Sequence, residues 1–109
     1  MNKFELFTII YYWLDNYYKD SKDDMIIDQL SDMNPFVWEE IGSADPAVYD
    51  KYCDFIGDRT INSDNSLEIA KGYVATITYA DMNEAFENVD TARWLKGIDD
   101  YLSTDHKGS

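Results

Sequence analysis

Apolar side chains recur along this chain at steps of three and four residues, which is the period of an amphipathic α-helix. The pattern near the N-terminus predicts a helix over about residues 2–18, with an apolar face formed by Phe7, Ile10, Leu14 and Tyr17. Asn2 stands at the N-cap position and Glu5 follows three residues later, which is the spacing of a capping box. The first element is therefore predicted to be a helix.

Two further helices are predicted in the first half of the chain. One begins near Ser21 and ends before Pro35, because a residue before proline avoids the helical region. Its predicted apolar face is Ile26, Ile27, Leu30 and Met33. The next has Asp45 as its N-cap, Pro46 at its first position and Gly57 as its C-terminal stop. Its predicted buried face is Tyr49, Tyr52, Cys53 and Ile56.

The second half of the chain continues the helical period. A cap in residues 62–64 is predicted to precede a helix with apolar positions Leu67, Ala70, Val74 and Ile77. Gly72 inside that helix costs about 1 kcal/mol relative to alanine, and we expect it to allow close approach of a neighbour. Residues 79–89 are predicted to form a short helix or turn. Asp90 then caps a last helix, whose apolar side is Trp94, Leu95, Ile98 and Leu102.

The fold class follows from these elements. Residues 74–79 contain β-branched side chains typical of a strand, but their continuity with the apolar positions before them favours a helix. We expect an all-α fold, an irregular bundle of about five helices. A length of 109 residues fits a single domain, predicted over residues 1–106, and residues 107–109 are interpreted as a cloning remnant.

Charge adds a functional class to this fold. The chain has 22 Asp+Glu against nine Lys+Arg, a net charge of −13, while 45% of its residues are apolar and 16% aromatic. Because it is rich in large apolar groups, it is expected to fold despite this charge. Its surface then repels phosphate and anionic lipid and attracts cationic proteins. We expect a basic protein partner and no direct contact with nucleic acid or membrane.

Motifs for catalysis are missing from the sequence. The only histidine, His106, is expected to be solvated, and Cys53 is interpreted as a buried structural thiol. One cysteine and one histidine cannot form a zinc site, and no glycine-rich phosphate loop occurs. The acidic stretches in residues 20–24 and 58–68 lack EF-hand spacing. We therefore expect no enzyme activity, no metal and no cofactor.

The acidic residues fall into three groups, in residues 15–32, 39–58 and 81–90. Nine tyrosines and three tryptophans exceed what short helices need for a core, although Trp94, Tyr49 and Tyr52 are predicted to be core residues. Exposed aromatic side chains beside carboxylates are typical of a protein-binding surface. The predicted contacts are Asp20, Asp23, Asp24, Asp28, Trp38, Glu39 and Glu40. Two alternatives stay open: a contact face at Asp81, Glu84 and Glu87, and acidity that serves only solubility.

Two stretches of the chain carry a resemblance. They are Gly42-Ser43-Ala44-Asp45-Pro46-Ala47-Val48-Tyr49 and Asn65-Ser66-Leu67-Glu68-Ile69-Ala70. With them, the chain resembles small acidic bacterial proteins of the kind that act as immunity proteins in polymorphic or contact-dependent growth-inhibition toxin systems. The resemblance implies a cytoplasmic protein that binds and neutralises a cognate toxin, often a basic nuclease. It implies no residue roles, because its main motif is a helix start.

The leading functional hypothesis is an immunity-type inhibitor of a cationic toxin, acting through an acidic surface that contains aromatic side chains. One alternative is a nucleic-acid mimic of the anti-restriction type, and a second is a small metal-binding or enzymatic domain. A cytoplasmic location is expected, because a single cysteine favours a reducing compartment and residues 6–14 lack the flanks of a signal peptide.

Overall fold

The computed structural model describes residues 2–35 and 42–102, which form six helices and no strand. The helices are α1 (Lys3–Tyr17), α2 (Asp24–Met33), α3 (Pro46–Ile56), α4 (Ser66–Thr76), α5 (Glu84–Glu87) and α6 (Thr91–Leu102). The predicted all-α irregular bundle is confirmed. The extra helix is α5, a single turn within the segment predicted as a short helix or turn. The described part contains no helix with the length and apolar character needed to cross a bilayer.

Helix α1 is the central element, because it packs against α2, α3, α4 and α5. A helix surrounded in this way has to be apolar over most of its circumference. The sequence meets this requirement with seven buried residues, Phe4, Leu6, Phe7, Thr8, Ile9, Ile10 and Leu14. Thr8 is the polar member, and its hydroxyl donates to the carbonyl of Phe4 at 2.9 Å. Tyr17, predicted on the apolar face, is instead 48% exposed, because it is the last residue of α1 and is only partly covered there.

An aromatic interior formed by Phe7, Tyr52 and Tyr73 joins α1, α3 and α4. The ring of Tyr52 lies 4.9 Å from that of Phe7 and 5.0 Å from that of Tyr73, both edge-on. The Tyr52 hydroxyl donates to the carbonyl of Lys3 at 2.6 Å, so its polar group is satisfied although the side chain is fully buried. Burial raises the pKa of Tyr52, and burial raises that of Tyr73 to about 12.

Local signals place most helix ends as predicted. Asn2 and Glu5 form both hydrogen bonds of a capping box. Asp45 caps α3 by accepting from the amide of Ala47, and Gly57 ends that helix with a φ of +59°. Asp90 caps α6, since its carboxylate accepts from the amide of Arg93 at 2.7 Å.

The cap predicted for α4 in residues 62–64 is wrong. The N-cap residue is Asn65, and its side chain makes no capping hydrogen bond. The side-chain oxygen of Asn62 instead accepts hydrogen bonds from the amides of Asp64 and Asn65. These bonds form a turn that immediately precedes the helix.

Two glycines allow aromatic rings to approach helices closely. A Cβ on Gly72 would lie 3.1 Å from the ring of Phe55, which confirms the expected close approach. A Cβ on Gly97 would lie only 2.8 Å from the indole of Trp13, a closer contact that the sequence pattern did not indicate. Trp94 and Ile98 of α6 are buried and Leu95 is half-buried, as predicted, whereas the side chain of Leu102 lies outside the described part.

Candidate functional site

Helix α2 divides into an apolar inner face and an acidic outer face. Its inner face contains the buried residues Ile26, Gln29, Leu30 and Met33, at the spacing of an amphipathic helix. Its outer face carries Asp24, Asp28 and Asp32, which are exposed and four residues apart. Residues at that spacing are neighbours on a helix surface, one turn from each other. These three carboxylates therefore form a continuous acidic stripe.

Two exposed apolar side chains flank the acidic stripe. Ile27 is 43% exposed and Met25 is 49% exposed. With 100° between successive residues, they lie on opposite sides of the stripe. The prediction that Ile27 belongs to the buried face is wrong, because Ile27 lies at the edge of the face that Ile26, Leu30 and Met33 form, where the described elements leave it exposed. The outer face thus combines charge with apolar contact area.

Tyr79, from the segment after α4, completes this surface. Its hydroxyl donates to a carboxylate oxygen of Asp28 at 3.2 Å, and its side chain is 49% exposed. The pKa of Tyr79 is raised by that hydrogen bond first, then by the charge of Asp28, by desolvation, and by the charges of Asp32 and Asp24. The hydroxyl of Tyr79 therefore lies within electrostatic reach of all three carboxylates. We call the surface of Asp24, Met25, Ile27, Asp28, Asp32 and Tyr79 the α2 face.

The energetics of the helix itself do not account for the stripe. Like charges four residues apart destabilise a helix by about 0.2–0.5 kcal/mol per pair. Asp32 also lies in the last turn, where the helix dipole disfavours an anion, and no basic residue occupies that turn. Only Asp24, in the first turn, is favourably placed. The stripe therefore adds negative potential at a small expense of stability.

The structure brings some of the predicted contact residues together and assigns another a local role. Asp24 and Asp28 lie in the α2 face. Asp23 is the N-cap of α2, since its carboxylate accepts from the amides of Met25 and Ile26 at 3.0 and 3.4 Å. Asp20 is exposed in the turn between α1 and α2. Trp38, Glu39 and Glu40 lie outside the described residues.

Sequence reasoning omitted two members of the surface that matter most for its shape. Asp32 continues the four-residue spacing of Asp24 and Asp28, so its place in the stripe was readable from the pattern. Tyr79 is 51 residues from Asp28 in the chain, and no local signal indicates their contact. Ile27 is apolar and next to the buried face, so the pattern of apolar residues alone does not distinguish it from a core residue.

The chemistry available at the α2 face is recognition of cations. Ionised carboxylates form strong, charge-assisted hydrogen bonds with arginine and lysine. In the described part of the chain, no three His, Cys, Asp or Glu side chains are grouped so as to hold a metal ion. Cys53 is half-buried against the hydrophobic core.

No protein-family model matches this chain, and no curated protein and no solved structure matches it either.

Proposed function

We propose that this protein binds a cationic protein through the α2 face and inhibits it, as the immunity partner of a basic toxin, with a nuclease as the toxin class. The observation that carries the proposal is the acidic stripe, with Tyr79 hydrogen-bonded to Asp28 at its centre and an exposed apolar side chain on each side. Carboxylates would pair with arginine and lysine, while the apolar groups would supply the desolvated contacts that dominate binding energy. The cytoplasm is the proposed location.

The two components of the surface act at different stages of binding. A net charge of −13 attracts a basic protein over distances near the Debye length. Steering of this kind raises association rates to about 10⁸ M⁻¹s⁻¹ or above at low salt. Tyr79, Met25 and Ile27 act after contact, because apolar groups hold a partner only once water is excluded. A nuclease is inhibited when its cationic nucleic-acid surface is covered.

Two matched triple variants test this proposal. The first is Asp24→Asn/Asp28→Asn/Asp32→Asn in the α2 face. The second is Asp50→Asn/Asp54→Asn/Asp58→Asn, which removes the same charge from exposed positions on and after α3. The wild-type protein, tagged, is used to isolate its stoichiometric partner from source-cell extract, and rate constants are then measured with purified proteins at two salt concentrations.

We expect the α2 triple to weaken the complex about 100-fold, through slower association and, because direct pairs with arginine and lysine are lost, through faster dissociation, and the control triple to slow association only slightly. Purified partner is also assayed for nuclease activity, which wild-type protein should abolish and the α2 triple should not. Equal effects of both triples on binding would mean that the total negative charge, and not the α2 face, attracts the partner. No effect of either triple would mean that the acidic residues serve only solubility.

A nucleic-acid mimic is the second candidate, and the even spacing of the stripe favours it. Successive carboxylates rise about 6 Å along the helix axis, so α2 presents a regular line of negative charge, as a nucleic-acid strand does. The same isolation distinguishes the two functions. A single stoichiometric partner supports the inhibitor, whereas several unrelated DNA-binding proteins support the mimic.

A further inference from the structure

A groove of about 320 Å³ lies between α1, α5 and α6 and shares no residue with the α2 face. Its walls include Tyr12, Trp13 and Tyr17 from α1, Glu84 from α5 and Arg93 from α6. Its volume is near the lower end of the range for small-ligand sites, and its combination of aromatic walls with a few polar groups is typical of them. The groove therefore has the size and lining to hold one side chain or a small molecule.

The indole of Trp13 is held rigidly in this groove. Its Nε1–H donates to the carbonyl of Ala85 at 3.2 Å, and its ring stacks on Phe86 at 6.1 Å with an interplanar angle of 19°. Gly97 supplies the space for it, since a Cβ there would come within 2.8 Å of the ring. Contacts from α5 and α6 thus fix the indole of Trp13 in place.

The chain already places a guanidinium on this surface. The central carbon of the Arg93 guanidinium lies 5.6 Å from the centroid of the Trp13 ring, which is a cation–π distance. Tyr17, 48% exposed, adds aromatic area to the groove wall at the end where Glu84 lies. The groove therefore contains further aromatic area next to a cation–π contact that the chain itself makes, between Arg93 and Trp13.

The Tyr17 end of the groove is negative. The pKa of Tyr17 is raised by desolvation first, then by the charge of Glu84, by a hydrogen bond to Glu84, and by the charge of Glu87. The pKa of Tyr18 is likewise raised by desolvation and by Glu84 and Asp81. The carboxylate of Glu84 therefore lies within electrostatic reach of both tyrosine hydroxyls, with Glu87 and Asp81 nearby. A cation that entered here would meet both an aromatic wall and an ionised partner.

We propose that this groove receives the guanidinium of an arginine side chain from the protein partner, held against Tyr17 and paired with Glu84. The inference rests on the proposed function for the cationic nature of the partner, and it adds a second contact separate from the α2 face. Charge complementarity favours this occupant over an anionic or neutral ligand, because Glu84 in the wall and Glu87, which lies outside the lining but whose charge reaches Tyr17, together outweigh Arg93.

The direct test uses Nα-acetyl-arginine N-methylamide as the probe and its uncharged citrulline counterpart as the matched control. Binding is followed by NMR at the indole N–H of Trp13, which lies in the groove. We expect a Kd on the order of 1 mM for the arginine probe and binding at least about tenfold weaker for the citrulline probe. Equal affinity of the two probes, or no binding of either, would overturn the proposal.

Two charge variants give effects of opposite sign. Glu84→Gln should weaken binding of the arginine probe about tenfold, because it removes the ionised partner. Arg93→Met should tighten it severalfold, because it removes a like charge and uncovers the face of Trp13. Glu68→Gln, an exposed carboxylate on α4 with the same charge change, should have no effect. The reverse pattern, with Arg93→Met weakening and Glu84→Gln strengthening binding, would identify an anion site instead.

The α2 triple variant separates this proposal from the proposed function, because it should bind the arginine probe as the wild type does. With the purified partner, Glu84→Gln should speed dissociation about tenfold. If the probe binds but this dissociation rate is unchanged, the groove takes a free guanidino compound and the partner-borne arginine is excluded. If the arginine probe does not bind, while the α2 triple variant still has weakened binding to the partner, the proposal for the groove is overturned and the proposed role of the α2 face is retained.

Discussion

The aromatic interior and the α2 face both use tyrosine hydroxyls, but in opposite surroundings. Tyr52 is fully buried, and its hydroxyl donates to a backbone carbonyl at 2.6 Å. Tyr79 is 49% exposed, and its hydroxyl donates to the carboxylate of Asp28 at 3.2 Å. Burial is the main cause that raises the pKa of Tyr52, whereas the carboxylate is the main cause for Tyr79. The first tyrosine fills a core, and the second is held in place on a surface.

This difference shows how stability and charge are separated in the molecule. Every described aspartate is exposed, and the described buried polar residues, Thr8, Gln29, Ser43 and Ser66, are all uncharged. Burying an unpaired carboxylate is costly, so a chain with 22 acidic residues has to keep them outside an uncharged core. Substitutions in the interior should therefore change stability, and substitutions in the α2 face should change binding.

The strongest test of this separation is Phe7→Ala. Phe7 is fully buried and contacts the rings of Tyr49, Tyr52 and Tyr73. Its truncation should lower the free energy of unfolding by about 3–5 kcal/mol, because the cavity cannot close among packed rings. Phe7→Leu, which should lose less than about 1.5 kcal/mol, keeps the effect measurable if the alanine variant does not fold. Tyr79→Ala should stay within about 0.5 kcal/mol of wild type in urea unfolding. A loss at Tyr79 as large as that at Phe7 would end the distinction between the two regions.

Alkaline unfolding sharpens the comparison of the tyrosines. A tyrosine in the unfolded chain ionises near pH 10, whereas the pKa of Tyr73 in the native protein is raised to about 12 and that of Tyr52 is raised as well. Above pH 10 the unfolded state loses these protons first. The contribution of the buried tyrosines to the free energy of unfolding is therefore fully present below pH 10 and decreases as the pH rises. The expected slope is about 1.4 kcal/mol per pH unit for each buried tyrosine. Urea unfolding from pH 8 to 12 measures it, and Tyr73→Phe should remove one tyrosine's share.

Gly97→Ala tests how rigidly the groove is packed. A Cβ at 2.8 Å from the Trp13 ring forces a shift of an indole that is hydrogen-bonded and stacked. The expected loss of stability is about 1–3 kcal/mol. Gly72→Ala is the control, because both variants gain about 1 kcal/mol of helix propensity but the Cβ at position 72 would meet the ring of half-buried Phe55 at the longer distance of 3.1 Å. In thermal unfolding, the melting temperature of Gly97→Ala should be well below that of Gly72→Ala. Equal melting temperatures would mean that Trp13 moves freely.

The smallest effect has the opposite sign. Asp32→Asn should raise stability by a few tenths of a kcal/mol, because it relieves repulsion with Asp28 and removes an anion from the last turn of α2. Asp23→Ala, in the same helix, should instead lose about 1 kcal/mol with its capping hydrogen bonds. Both are measured by urea unfolding at low salt. If Asp32→Asn destabilised the protein, the acidic stripe would be a structural feature and its assignment to binding would lose support.

Features set by neighbours along the chain were predictable from sequence. The all-α class, the capping box at Asn2, the start of α3 at Asp45 and its end at Gly57 depend on hydrogen bonds between residues a few positions apart. The four-residue spacing of Asp24, Asp28 and Asp32 was visible for the same reason. Where prediction failed, as for Ile27, the helical period was right, but a residue at the edge of the apolar face is buried only if a neighbouring helix covers it.

Features that join distant residues were decided by the tertiary structure alone. Tyr79 reaches Asp28 across 51 residues, and the indole of Trp13 reaches the carbonyl of Ala85 across 72 residues. The sequence determined that the chain forms amphipathic helices with their charges outside. Which carboxylates share a face with an exposed tyrosine, and which helices enclose a groove, depended on how the connections direct each helix against α1. A hydrophobic period specifies which side of a helix is buried, but it contains no information about which neighbour buries it.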